Sequence, residues 1–201
     1  MTTGDKLFGI VDGTNPHPSL WNYNKQDFMG NGGCHFDTDM NVDAGTDIPA
    51  GVLLDVDLVS RKAYVVKNAL VVDGGTTSAP RVNKNHFFQV GDNVFVSSSA
   101  VTITGIDKTN TAYDVLTLSA ACSGAVSGAY LENSKESGAD PVMAHVPNAV
   151  LQEWHYNVQT GDRVKAVVVR IYQDVDTTPF TVPVSPVQKA ALNATGRFLL
   201  Y

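Results

Sequence analysis

Two neighbouring stretches, Ile48-Pro-Ala-Gly-Val-Leu-Leu-Asp-Val-Asp-Leu-Val59 and Ala63-Tyr-Val-Val-Lys-Asn-Ala-Leu-Val-Val72, decide the fold class. In the first, Val52, Leu54, Val56 and Leu58 alternate with Leu53, Asp55 and Asp57, so one side of an extended chain is wholly apolar. Period two is what a half-buried strand requires, because successive side chains point to opposite faces. The texture recurs in Val94-Phe-Val96, Val101-Thr-Ile-Thr-Gly-Ile106, Tyr113-Asp-Val-Leu-Thr-Leu118 and Val164-Lys-Ala-Val-Val-Val-Arg-Ile-Tyr172. β-branched and aromatic residues, which suit a pleated surface, are frequent in these runs. Turn formers separate them: Asp73-Gly-Gly75, Ser97-Ser-Ser99, Asp107-Lys-Thr-Asn110, Ser123-Gly124, Ser137-Gly138 and Thr160-Gly-Asp162. Short strands with closely spaced turns predict an all-β barrel or sandwich as the central domain, over 48–180.

The flanks read differently. Residues 1–47 are rich in Gly, Asn, Asp and Pro, with aromatics at intervals and no sustained periodicity, which predicts an extended N-terminal arm or a long ordered loop wrapped on its own domain. Trp21, Tyr23, Phe28 and Phe36 are spaced as apolar anchors for a chain laid over a partner, so the arm is expected to serve attachment more than the β domain's stability. Residues 181–201 form the C-terminal tail, where Val184-Ser-Pro-Val-Gln-Lys-Ala-Ala-Leu-Asn-Ala-Thr-Gly196 predicts a short helix. Ser185 can cap it, Pro186 fits its first turn and Gly196 can end it. The apolar ending Phe198-Leu-Leu-Tyr201 needs something to dock on, either its own domain or another subunit, and Phe198 and Tyr201 are therefore candidate contacts.

Composition narrows the function classes. With 201 residues, 43% hydrophobic and 17% charged, the chain can bury a core. A formal charge of -6, a pI near 5.2 and scattered basic residues argue against nucleic acid as a partner. The N-terminus has one Lys and a short apolar stretch before Asp12, so no export signal is expected. The apolar runs fall far short of the roughly 20 residues a membrane-spanning helix needs, so no membrane is expected. Cys34 and Cys122 form no CxxC pair, which predicts neither a disulfide framework nor a cysteine zinc site. Such thiol usage suits folding in a reducing cytoplasm.

Few motifs carry chemistry. Asp37, Asp39, Asn41 and Asp43 alternate like the opening of a calcium loop, but Val42 replaces its glycine and Ile48 its closing glutamate. The segment Asp37–Asp47 therefore reads as a solvated acidic loop that binds no metal tightly. No Gly-x-Ser-x-Gly or His-Glu-x-x-His is present, and Asp73-Gly-Gly-Thr-Thr77 lacks the lysine of a phosphate loop. No enzyme and no cofactor are expected, although an enzyme on a β scaffold would need only a pocket where His and carboxylates converge. Trp154-His-Tyr156 offers two aromatics on one side of a strand, the platform a carbohydrate-binding module would use. Gln89-Val-Gly-Asp-Asn-Val94 and Gln159-Thr-Gly-Asp-Arg-Val164 share Gln-x-Gly-Asp-x-Val, which reads as a tight turn feeding a strand.

Ile48 to Asp57, Arg61 to Ala69 and Phe88 to Val94, with Ile103-Thr-Gly-Ile-Asp107, Tyr113 to Leu118, Gly124-Ala-Val-Ser-Gly-Ala-Tyr-Leu131 and Val164 to Tyr172, carry a family likeness. Over about 48–175 the chain resembles capsid decoration and head-fibre proteins of tailed bacteriophages, notably those of gut Bacteroides-type hosts. The resemblance implies a virion structural protein on the outer shell, bound to the phage major capsid protein and assembled as a homotrimer. It departs from the fibres in having neither a Gly-X-Y shaft nor sustained heptads, which leaves a decoration protein or a fibre's capsid-binding base.

Overall fold

Val52, Leu54 and Val56 turn inward together, as their alternation requires, while Leu58 lies just past the strand end and is half exposed. The computed structural model describes residues 34–151, 154–164, 166–167, 173–175, 182–195 and 198–200. The structure is all-β with one short C-terminal helix among the described residues.

A first sheet begins with β1 (Cys34–His35), β2 (Leu53–Asp57) and β3 (Lys62–Val65). The chain then builds a second sheet: β4 (Asn68–Val72), β5 (Arg81–Val82), β6 (Asn93–Phe95), β7 (Ser99–Asp107), β8 (Asp114–Leu118), β9 (Tyr130–Ser134) and β10 (Gly138–Ala139). It returns to the first sheet as β11 (Ala149–Leu151), β12 (Arg163–Val164) and β13 (Ala166–Val167). The second sheet is thus an insertion between β3 and β11.

Both sheets close on themselves. The first runs β12-β1-β3-β2-β11-β13, and only Lys165 separates its two end strands in sequence. One segment therefore pairs with β1 at 163–164 and with β11 at 166–167, which curls the sheet into a barrel. Among the described residues only the β1–β3 pairing in it is parallel. In the second, β4-β5-β8-β7-β6-β9 returns to β4 with every pairing antiparallel. The nine residues of β7 reach β6, β8 and β10. Closure satisfies strand edges that would otherwise invite pairing with other chains.

Each barrel has its own core. Phe36, Ile48, Leu54, Val65 and Leu151 fill the first, and Val71, Phe88, Ile103, Leu116 and Leu131 fill the second. Cys34 lies in the first and Cys122 in the second; both are buried, and burial raises both thiol pKa values. Protonated buried thiols of this kind are inert.

The extended arm expected over 1–47 needs a correction where it is described. Residues 34–47 belong to the first barrel: Phe36 is fully buried, and its N–H donates to Asp162 O at 3.0 Å. Asn41 clamps β3 by giving Nδ2 to Val65 O and taking the Val65 N–H on Oδ1. Composition marked this stretch as irregular backbone, which it is, but irregular backbone with buried anchors at Cys34, Phe36 and Val42 completes a core. Trp21, Tyr23 and Phe28 lie outside the described residues.

The helix α1 (Pro186–Ala194) starts as its sequence requires, with Ser185 Oγ accepting the Gln188 N–H at 3.1 Å and Pro186 in the first turn. It ends at Thr195, whose N–H bonds back to Leu192 O at 3.1 Å. The strand β14 (Gln173–Val175) pairs in parallel with β15 (Phe198–Leu200), so the backbone of the apolar ending is held within this chain. Tyr201 and most of the strand expected over 164–172 lie outside the described residues.

Candidate functional site: a cleft between two barrels

β3 passes into β4 through Val66 and Lys67 alone, so the two barrels meet without a linker. Buried polar side chains gather at this joint. Lys67, only 2% exposed, places Nζ 2.7 Å from Asp92 Oδ2 and 3.1 Å from Gln89 Oε1. Gln89 in turn gives its Nε2 to Asp43 Oδ1 in the first barrel. Burial lowers the Lys67 pKa against the pull of Asp92.

Beside the joint lies a cleft of about 400 Å³. One wall is the 42–47 segment of the first barrel; the other is 84–88 of the second, closed by Lys108 and Asp114. The second wall is strained: Asn85 and Phe87 have φ of 65° and 60°, in the left-handed region. Asparagine tolerates that region, but for phenylalanine it costs about 1–3 kcal/mol and persists only where the surroundings impose it. The reason is visible in the packing. Phe87 lies against the first core and its neighbour Phe88 fills the second, so the twist at 85–87 sends adjacent aromatics into different barrels.

His86, caught between the two left-handed residues, is buried. Its Nδ1 accepts the Phe88 N–H at 2.9 Å, which leaves the proton on Nε2, 3.2 Å from Asp114 Oδ2. That approach lies outside hydrogen-bond geometry, so Nε2 has no hydrogen-bond partner among the described residues. Asp114 instead takes the Lys84 ammonium on Oδ1. Burial pushes the His86 pKa down to about 4, more than Asp114 pulls it up, so the imidazole is neutral.

The opposite rim leads to the aromatic pair. Asp47 Oδ1 accepts the Asn157 N–H at 2.9 Å, and the Gly45 N–H donates to Val158 O at 2.8 Å. Just before them, Trp154 and Tyr156 stack with centroids 5.8 Å apart and 22° between planes. The pair flanks an isolated bridge from His155 to Ile48 instead of lying on a regular strand, and Tyr156 is 52% exposed.

The acidic loop spends its carboxylates on protein partners. Asp37 and Asp39 lie 3.2 and 3.0 Å from Lys62 Nζ, and Asp39 also accepts the Tyr64 hydroxyl at 2.8 Å. These bonds hold both carboxyls below the usual range: the Thr38 amide is the chief donor to Asp37, and Lys62 the chief donor to Asp39. The two Gln-x-Gly-Asp-x-Val turns are alike. Asp92 accepts the Gln89 N–H at 2.8 Å and Asp162 the Gln159 N–H at 2.7 Å, with Gly91 and Gly161 left-handed between them. Each aspartate then takes a basic partner, Lys67 at one turn and His155 at the other.

Of the residues singled out in the sequence, Trp154 and Tyr156 come together, Phe36 is core, and Phe198 lies in β15. The cleft was not legible. Asn83 and Asn85 are turn formers, but nothing marks Phe87 as left-handed or brings 42–47 against 84–88. In comparisons with protein-family models, curated proteins and solved structures, nothing matches the chain.

Proposed function

We propose that this chain is a virion structural protein, a capsid decoration protein or head-fibre base that binds the major capsid protein of a tailed bacteriophage as a homotrimer. The observation that carries the reading is the insertion. The second barrel is one unbroken stretch of chain hung between β3 and β11, while the segments on either side both run from the first barrel. That division suits a base that attaches and a knob that is displayed, and it adds to the likeness over 48–175. The flanking aromatics Trp21, Tyr23, Phe28, Phe198 and Tyr201 are the proposed contacts. Its place is then the capsid surface, after synthesis in the bacterial cytoplasm. The chemistry asked of such a protein is binding and not catalysis. The test is solution mass together with co-sedimentation on phage heads stripped of decoration. A trimer that rebinds the heads is the expected result; a monomer that does not bind them overturns the reading.

A second reading, a carbohydrate-binding β module, is favoured by the stacked Trp154–Tyr156 pair with its exposed tyrosine. Glycan binding that Tyr156→Ala abolishes would establish it.

A further inference from the structure

We propose that the cleft between the two barrels is itself a binding site for one neutral sugar ring. This goes beyond the attachment reading and does not depend on it.

Its size, about 400 Å³, lies within the range of small-molecule sites. One wall is backbone fixed at Asn85 and Phe87 by the packing of the two barrels, so its shape is set before any ligand arrives. The lining carries Asp43, Asp47 and Asp114 against Lys84 and Lys108, two cations less three anions, with His86 neutral. A formal charge of -1, with Lys84 and Asp114 already in contact, favours neither a strong anion nor a strong cation.

What remains facing the cleft is a mixture of donors and acceptors. Asp43 and Asp47 each engage Oδ1 on a protein N–H, leaving Oδ2 as acceptor. Lys108 and Asn85 are exposed, and neither side chain has a hydrogen bond among the described residues. Sugar hydroxyls both donate and accept, so adjacent hydroxyls match such a mixed set where a simple ion would not. The partly buried Phe87 and the buried Val42 add the apolar wall that the C–H face of a pyranose requires.

The test is saturation-transfer NMR on the full chain with methyl glycosides of glucose, galactose, mannose and N-acetylglucosamine, and with glycine as a zwitterionic probe. Asn85→Gly removes the amide while keeping the left-handed backbone accessible, and Lys108→Ala changes an exposed side chain. At least one glycoside should show transfer, and each variant should weaken it by about threefold to tenfold. Tyr156→Ala should leave it unchanged. Transfer from none of the glycosides, transfer from glycine alone, or a loss caused by Tyr156→Ala and not by the cleft variants each overturns the proposal. Trimer mass and head binding are read separately, so either idea can fail alone.

Discussion

Gln188 Nε2 donates to Glu132 Oε2 at 3.0 Å, and through this bond the C-terminal helix holds the inserted barrel. The link continues through Gln188 Oε1, which accepts Asn68 Nδ2 at 2.7 Å. Glu132 Oε1 and Asn68 Oδ1 are buried acceptors without a donor among the described residues, and the two residues are register partners across β4 and β9. Burial pushes the Glu132 pKa up to about 7, outweighing the hydrogen bonds that lower it. A proton there turns one orphan acceptor into a donor.

Glu132→Gln mimics the protonated acid permanently. The folded pKa stands above the unfolded one, so the folded state holds more protons between about pH 4.5 and 7, and stability falls as pH rises through that window. The variant should therefore melt higher than the parent at pH 8, by roughly 1–3 kcal/mol, or several degrees. Equal melting temperatures at pH 8 would show that Glu132 folds at no protonation cost.

His86 works in the opposite sense. Its folded pKa of about 4 lies below the unfolded 6.5, so stability is lost as pH falls from about 6.5 to 4. In the parent this loss is offset by the gain from Glu132 over nearly the same window, and melting temperature should change little there. In Glu132→Gln the offset is gone. That variant should lose stability steadily on acidification from pH 6.5 to 4.5, and a flat profile would count against a buried neutral His86.

Lys67 and Asp92 should respond unequally to replacement. Asp92→Ala strips the buried ammonium of its ion partner and removes the acceptor of the Gln89 N–H, a change that costs about 3–5 kcal/mol. Lys67→Met leaves Asp92 still bonded to the Gln89 amide and fills the space with an apolar stem. Chemical denaturation should show a much smaller loss for Lys67→Met. Equal losses would show that Asp92 has no separate role in the turn.

The same joint explains how much was legible in the sequence. Local rules were: alternation at Val52, Leu54 and Val56, the Ser185 cap with Pro186, and both Gln-x-Gly-Asp-x-Val turns. Ala63–Val72 looked like one strand, yet it divides between two barrels. The break falls at Val66 and Lys67, and the burial of Lys67 and of Asn68 beside it depends on Asp92, Gln89 and Gln188, all distant in sequence. Barrel closure and the cleft likewise rest on pairings between remote segments, and periodicity carries no trace of a partner. Phe36 reads in the sequence as an attachment anchor, yet it is core, because one apolar anchor in irregular backbone looks the same whether it meets its own barrel or another chain.

That assignment has a direct test by truncation. A chain beginning at Gly33 keeps Cys34, Phe36 and Val42 in the first core, whereas one beginning at Asp47 loses all three together with β1. Phe36→Ala alone should cost about 3–5 kcal/mol. The longer chain should keep a cooperative melt in the first barrel, and the shorter should lose it. If both unfold alike, residues 34–46 contribute nothing to that core.

The tip of the β2–β3 hairpin is where the proposed assembly makes its last prediction. Asp57 ties the turn by accepting the Val59 N–H at 2.8 Å and the Ser60 hydroxyl at 2.6 Å, and left-handed Arg61 completes it. So secured, the turn holds Leu58 50% and Val59 94% exposed, two apolar residues where turns are usually polar. In a trimer, or against a capsid, this tip has somewhere to bury them. Leu58→Ser with Val59→Ser should leave the melting temperature of the isolated chain within a degree or two, because neither side chain is core. It should weaken self-association or head binding about tenfold, on the scale of one to two kcal/mol for two small apolar contacts. Unchanged mass and unchanged head binding would remove the hairpin tip from any interface, leaving attachment to the aromatic flanks alone.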